Sequence, residues 1–307
     1  MVWVVRVVAA AAVVVVAWVC ATAWPVLVHG HPTYAVLLVL TLLVAAVVAA
    51  RAARERRTSV WRTVGRVILV VLSVGWIATM AWLKPFTTQE PALAAMQSDS
   101  RVAVTEYPTQ IVLTPATGAD RTAVFFQPGA RVDARAYVAV LRPLVEAGHI
   151  VVIAKQPLGI AFLSLGTFAR VQGAFPAVTR WVIGGHSLGG TVAAIEADSH
   201  DEDVTAPAVG LLFYASYPAT DMSTTLKASV LSVSGTLDGL ATPAKIDASR
   251  PSLPSTSVFV AIEGAVHAYF GDYGEQPGDG TPTISHDDAR RQISAKSVAF
   301  VDALAAA

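Results

Sequence analysis

Three apolar runs open this 307-residue chain, at 7–28, 34–50 and 67–83, and they restrict its architecture more than anything that follows. A hydrocarbon core about 30 Å thick takes roughly 17–25 apolar residues at about 1.5 Å rise each, and all three runs reach that range. They are apolar on all sides rather than along one stripe, which argues against amphipathic surface helices. Trp24, Trp61, Trp82 and Lys84 fall near their ends, where interfacial anchors belong. The expectation is a membrane region over 1–84 with three transmembrane helices and the lipid bilayer as its partner. Between the second and third runs stand Arg51, Arg54, Arg56, Arg57, Arg62 and Arg66 against Glu55, whereas the first loop has neither Arg nor Lys. By the positive-inside rule the basic loop and the N-terminus are cytoplasmic, and the chain after Lys84 is extracytoplasmic. Ala21-Thr22-Ala23 follows the A-x-A pattern of a signal-peptidase site, and cleavage there would leave that placement unchanged. The single cysteine, Cys20, lies in the first run and reads as a small hydrophobe.

Residues 85–100 turn polar and read as a linker to a globular part over 101–307. The whole chain is 54% hydrophobic and 14% charged, which excludes a disordered protein. Its formal charge is zero, with no basic footprint for a nucleic-acid partner. Strand-length apolar runs at 101–105, 111–114, 123–127, 150–154, 181–184, 209–214, 229–234 and 257–262 alternate with helical patterns at 134–146, 166–175, 188–197, 243–249 and 287–305. The order predicts an α/β domain with a doubly wound, mostly parallel sheet, its first two strands forming an antiparallel hairpin or edge. In such sheets ligands bind beyond the carboxyl ends of the strands, so chemistry is to be sought in the turns that follow them.

One of those turns carries a motif. After the apolar strand Trp181-Val182-Ile183 comes Gly184-Gly185-His186-Ser187-Leu188-Gly189-Gly190, and then a helical run. G-x-S-x-G between strand and helix is a nucleophile elbow, in which the glycines permit a crowded turn that projects the serine hydroxyl. Serine at its free pKa is a poor nucleophile, so a base is needed, usually His oriented by an acid. Of the downstream histidines, His200 lies in an acidic polar stretch and His286 opens the last helix. His267 follows the last strand, where the base belongs. Asp238, in Gly235-Thr236-Leu237-Asp238-Gly239 just past a strand, is the candidate acid, and Asp221, past the preceding strand, is its rival. An oxyanion hole requires two backbone amides: Leu188 supplies one, and the turn Pro128-Gly129-Ala130 supplies the other at Ala130.

Four blocks carry a resemblance to a known family: FFQPGARVDARAY at 125–137, VVIAKQPLGIAF at 151–162, WVIGGHSLGG at 181–190 and IEGAVHAYFGDYGEQPGDGTPTIS at 262–285. They resemble the α/β-hydrolase superfamily and, within it, the small dienelactone-hydrolase-like group, over most of 123–286. The resemblance implies Ser187, Asp238 and His267 as nucleophile, acid and base, with Ala130 and Leu188 as oxyanion donors. Val266 departs from the pattern, standing where a polar residue, often Asn, precedes the family's histidine. Only 215–228 separates the strand before the acid from the next, too little for a helical cap, so a minimal or absent cap and an open site are expected. These readings imply a membrane-anchored serine hydrolase cleaving a small-molecule or lipid ester, or a thioester or amide, without metal or organic cofactor. The rivals are an acyltransferase to a cell-envelope acceptor and a non-catalytic binding protein on the same scaffold.

Overall fold

The computed structural model describes residues 2–52 and 60–307, which fall into two compact units, Met1–Pro85 and Phe86–Ala307. The first holds α1 (Val2–His29), α2 (Thr33–Ala52) and α3 (Val60–Trp82). Within them Trp3–His29, Thr33–Arg51 and Thr63–Trp82 are each long and apolar enough to cross a membrane. α1 bends at Ala23 (φ −138°, ψ 22°), two residues before Pro25, whose ring removes an amide from the helical ladder. Polar groups are matched between helices: the Tyr34 hydroxyl donates to the Met80 carbonyl at 2.6 Å and the Trp76 indole to Thr41 Oγ1 at 2.8 Å. Lys84 lies over the Trp18 ring at 5.4 Å. Arg54, Glu55, Arg56 and Arg57 of the basic loop lie outside the described residues.

The second unit opens with the short helix α4 (Ala92–Ala95) and builds one eight-stranded sheet: β1 (Val102–Glu106), β2 (Gln110–Pro115), β3 (Thr122–Gln127), β4 (Ile150–Ala154), β5 (Arg180–His186), β6 (Ala208–Tyr214), β7 (Ser229–Gly235) and β8 (Val258–Ile262). The strand order is β1-β2-β4-β3-β5-β6-β7-β8. β1 pairs antiparallel with β2 and β2 with β4, while every pairing from β4 to β8 is parallel. This is the mostly parallel, doubly wound sheet expected from the alternation of patterns, with the antiparallel pair at its edge.

Parallel strands covered on both faces read as continuous apolar runs, because each face needs its own alternate residues. β3 is buried throughout. Val124 and Phe126 point to one core, shared with Leu141 and Leu144 of α5 (Val138–Glu146) and Ile293 and Val301 of α9 (His286–Ala305). Ala123 and Phe125 enter the other, with Phe168 and Val171 of α6 (Thr167–Ala174) and Ala193 and Ala197 of α7 (Leu188–His200). α8 (Pro243–Ser249) follows β7, with its N-terminal amide at Lys245 capped by the Thr242 side chain. Residues 215–228, between β6 and β7, hold no helix, so no helical cap is inserted there.

Residues 86–100, polar in composition, are bonded to this unit. Phe86 pairs with Val132 in a parallel bridge, the Gln89 amide donates to the Asp272 carbonyl at 2.8 Å, and Arg142 donates to the carbonyls of Ala95 and Gln97.

Candidate active site

Ala130, Ser187, Leu188, Asp238 and His267 all lie just past the carboxyl ends of parallel strands, after β3, β5, β7 and β8. Ser187 lies between the end of β5 and the start of α7, with φ 51° and ψ −126°, a left-handed geometry that costs a non-glycine residue about 1–3 kcal/mol. The flanking glycines explain why the turn forms only with this motif. A Cβ on Gly185 would come within 2.5 Å of the Gly189 carbonyl group, and one on Gly189 within 2.2 Å of the carbonyl oxygens of Gln127 and Pro128. The turn is bonded from the next strand, the Ser187 amide donating to the Tyr214 carbonyl at 3.0 Å and the Ser216 hydroxyl to the Ser187 carbonyl at 2.6 Å.

His267 and Asp238 come together across the ends of β8 and β7. His267 Nδ1 lies 2.8 Å from Asp238 Oδ2, with the two side chains 1% and 0% exposed. Asp238 Oδ1 accepts from the amides of Leu240 and Ala241, both at 2.7 Å. Three bonds thus hold the carboxylate, and with an N–H at Nδ1 the imidazole presents Nε2 as its acceptor. That nitrogen is buried and makes no hydrogen bond among the described residues, to Ser187 or to any other. Free enzymes often leave this contact open until substrate closes it. The ring of His186, the residue before Ser187, sits 4.5 Å from that of His267, which brings the serine turn and the His267–Asp238 pair into one neighbourhood.

Asp221 lies apart, exposed, accepting from the Ser223 amide at 2.9 Å in its own turn. His200 pairs with Asp203 at 2.8 Å beyond α7, and His286 stacks on Tyr269 at 4.4 Å.

The turn after β3 faces the serine turn. Among the described residues the Ala130 amide donates to no acceptor, and the Leu188 amide belongs to the first turn of α7, where no preceding carbonyl is in register. Tyr137 joins the two turns: its hydroxyl accepts from the Gly129 amide at 2.9 Å and lies 2.8 Å from His186 Nδ1. The Gly129 bond directs the phenolic proton to His186, so His186 Nδ1 is the acceptor. Burial holds the His186 pKa well below the ordinary imidazole value, with His267 adding repulsion. From the other side the Gln156 amide donates to the Pro128 carbonyl and to Gln127 Oε1, each at 2.9 Å, and Gln127 donates in turn to Glu196 at 3.0 Å.

Composition and spacing did not reveal one further residue. Asp279 accepts four backbone amides: Gly239 (3.1 Å), His267 (3.1 Å) and Gly280 (2.8 Å) at Oδ1, and Ala268 (2.8 Å) at Oδ2. One carboxylate therefore clamps the turn carrying Asp238 to the turn carrying His267. Its only sequence signal is Gly278-Asp279-Gly280, which reads as ordinary turn chemistry. Val266, where a polar residue was expected, is buried at the start of the 3-10 helix His267–Phe270.

The domain resembles a Klebsiella pneumoniae protein described as a dienelactone hydrolase, with a TM-score of 0.51 and 15% identity over 66% of this chain and 98% of that one. It is also similar to the esterase domain of a Rhodothermus marinus protein (TM-score 0.49, 14% identity, 65% of this chain and 97% of that one). At 15% identity the likeness to the Klebsiella pneumoniae protein is one of fold. Among curated proteins none matches. A family model described as the alpha/beta hydrolase family matches residues 123–291, the span holding the serine turn, the His267–Asp238 pair and the Asp279 clamp, and the chain belongs to that family.

Proposed function

We propose that this protein is a membrane-anchored serine hydrolase acting on carboxylic esters, and the observation that carries the reading is the buried 2.8 Å His267–Asp238 pair beside the strained Ser187 turn. Ser187 Oγ attacks the ester carbonyl while His267 Nε2 takes its proton. The tetrahedral oxyanion is received by the amides of Ala130 and Leu188. The intermediate collapses to an acyl-enzyme as the alcohol leaves with the proton from Nε2. Water then repeats the sequence and releases the acid. Asp238 fixes the tautomer of His267 and stabilises the imidazolium that forms. Thioesters and amides are accessible to the same nucleophile. The arginines between α2 and α3 hold that loop in the cytoplasm and put the hydrolase domain on the extracytoplasmic side.

Ser187→Ala should abolish both labelling by a fluorophosphonate probe and turnover of p-nitrophenyl esters, with an unchanged circular dichroism spectrum, since Ser187 is only partly buried and belongs to neither core. Turnover retained at the wild-type level in Ser187→Ala would end this assignment.

A further inference from the structure

Between β4 and α6 the chain carries no charged residue from Gln156 to Ala169, and in the 3-10 helix Ala161–Ser164 and the residue after it Phe162, Leu163 and Leu165 stand 43%, 55% and 49% exposed. This is not a loose loop. Ala161 and Ser164 point inward and are buried, the Ser164 hydroxyl bonding the Ala161 carbonyl at 2.7 Å and Gln127 Oε1 at 3.2 Å. Glu196 accepts the Phe168 amide at the far end. A buried polar network thus holds three large apolar side chains outward, where water is a poor partner for them. Clustered exposed apolar side chains mark contact surfaces, while scattered ones do not.

The position of this turn selects its partner. The Arg131 amide donates to the Gly159 carbonyl at 2.7 Å, and the Phe86 amide to the Arg131 carbonyl at 2.7 Å. Two successive backbone hydrogen bonds thus link Gly159, at the base of the apolar turn, through Arg131 to Phe86. Only Leu83, Lys84 and Pro85 separate Phe86 from Trp82, the last residue of the third apolar helix. Arg131 also follows Ala130 directly, so the tether, the proposed oxyanion turn and the apolar turn share one edge of the domain.

We infer that residues 160–165 form a lipid-contacting surface that dips Phe162, Leu163 and Leu165 among the acyl chains of the bilayer holding the helices, and that the ester cleaved is carried by a membrane lipid reaching Ser187 along this turn. The absence of charge over 156–169 permits such immersion, and interfacial binding scales with the apolar area buried. The substrate half of the inference rests on the esterase reading above, whereas the surface does not.

The test uses the full chain in phosphatidylcholine–phosphatidylglycerol proteoliposomes, with Cys20→Ala as background. A nitrobenzoxadiazole fluorophore is placed on Leu163→Cys, on Leu165→Cys or, as a control, on Val204→Cys, which is 99% exposed and precedes β6 at the opposite end of the strands. The first two should emit to the blue of the control and be quenched at least threefold more by doxyl-labelled phospholipid. Equal emission and quenching at all three sites would overturn the lipid surface. In a second arm, Leu163→Asp should lower turnover of a long-chain ester embedded in the vesicles at least tenfold, while p-nitrophenyl acetate turnover stays within twofold. Equal loss on both substrates would overturn the lipid-substrate half. Selective quenching with no ester turnover by the wild-type chain would keep the surface and remove the esterase reading.

Discussion

The proposed base and acid are placed by a residue that takes no part in the chemistry. Asp279 holds the amides of Gly239, His267, Ala268 and Gly280, of which those of His267 and Ala268 are part-buried, and an unsatisfied buried amide costs about 1–3 kcal/mol. Asp279→Ala should therefore release both turns, and since a displacement of about 1 Å at reacting groups costs on the order of 100-fold, kcat should fall roughly 10–100-fold with little change in KM. Asp279→Asn keeps one acceptor oxygen and should lose less. Steady-state kinetics on a soluble ester for the three chains check the order, and a KM effect with kcat preserved would assign Asp279 to substrate binding instead. Tyr137 ties the Gly129 turn to His186 in the same manner. Neither residue was legible in the sequence. Asp279 contacts groups up to 40 positions away and Tyr137 reaches His186 across 49, and such separations leave no local pattern. Ser187, in contrast, is announced by its own neighbours, because the crowding that demands glycine at 185 and 189 is local.

At the scale of elements, the strands were readable because a sheet buried on both faces writes itself as apolar runs, and β3, β4 and β5 do so. The polar segment 86–100 shows the limit of composition: besides backbone bonds at Phe86 and Gln89, it is held by the Arg142 guanidinium and by the Phe86–Tyr273 ring contact, partners that lie far off in the sequence. The N-terminus of α9 makes a titratable joint with the segment carrying His267. His286 stacks on Tyr269, lies 3.4 Å from Asp272, and has its pKa pushed down to about 4 by burial and by Arg290. The unfolded chain binds a proton here near pH 6.5 while the folded one does not until about pH 4, so this site's contribution to stability is complete above pH 6.5 and is lost as pH falls through that window. Each pH unit of that window corresponds to about 1.4 kcal/mol. His286→Gln should accordingly flatten the fall in thermal midpoint between pH 6.5 and 4, followed by tryptophan fluorescence in detergent. A steeper fall in the variant would mean that protonated His286 is stabilised by Asp272.

For the whole molecule, charge and hydropathy make a topological statement that geometry does not repeat. The arginines around the second loop should keep that loop in the cytoplasm. In a Cys20→Ala chain in intact cells, Ser100→Cys should react with a membrane-impermeant maleimide and Ser59→Cys only after lysis, and the reverse pattern would put the hydrolase domain in the cytoplasm. The distribution of backbone strain has a consequence of its own. Arg131, Leu158, Ser187 and Ala215 have φ of 60°, 57°, 51° and 45°, and they follow β3, β4, β5 and β6, four strands adjacent in the sheet. Among the described residues no other non-glycine position has positive φ. The edge that bears the proposed chemistry is thus the edge where the fold is held away from its own conformational minimum, at about 1–3 kcal/mol per residue. A glycine there relaxes the chain, so Ser187→Gly should melt above Ser187→Ala while both are inert. At Ser187, selection for thermal tolerance alone would favour replacing the proposed nucleophile, so stability and activity pull in opposite directions at that position.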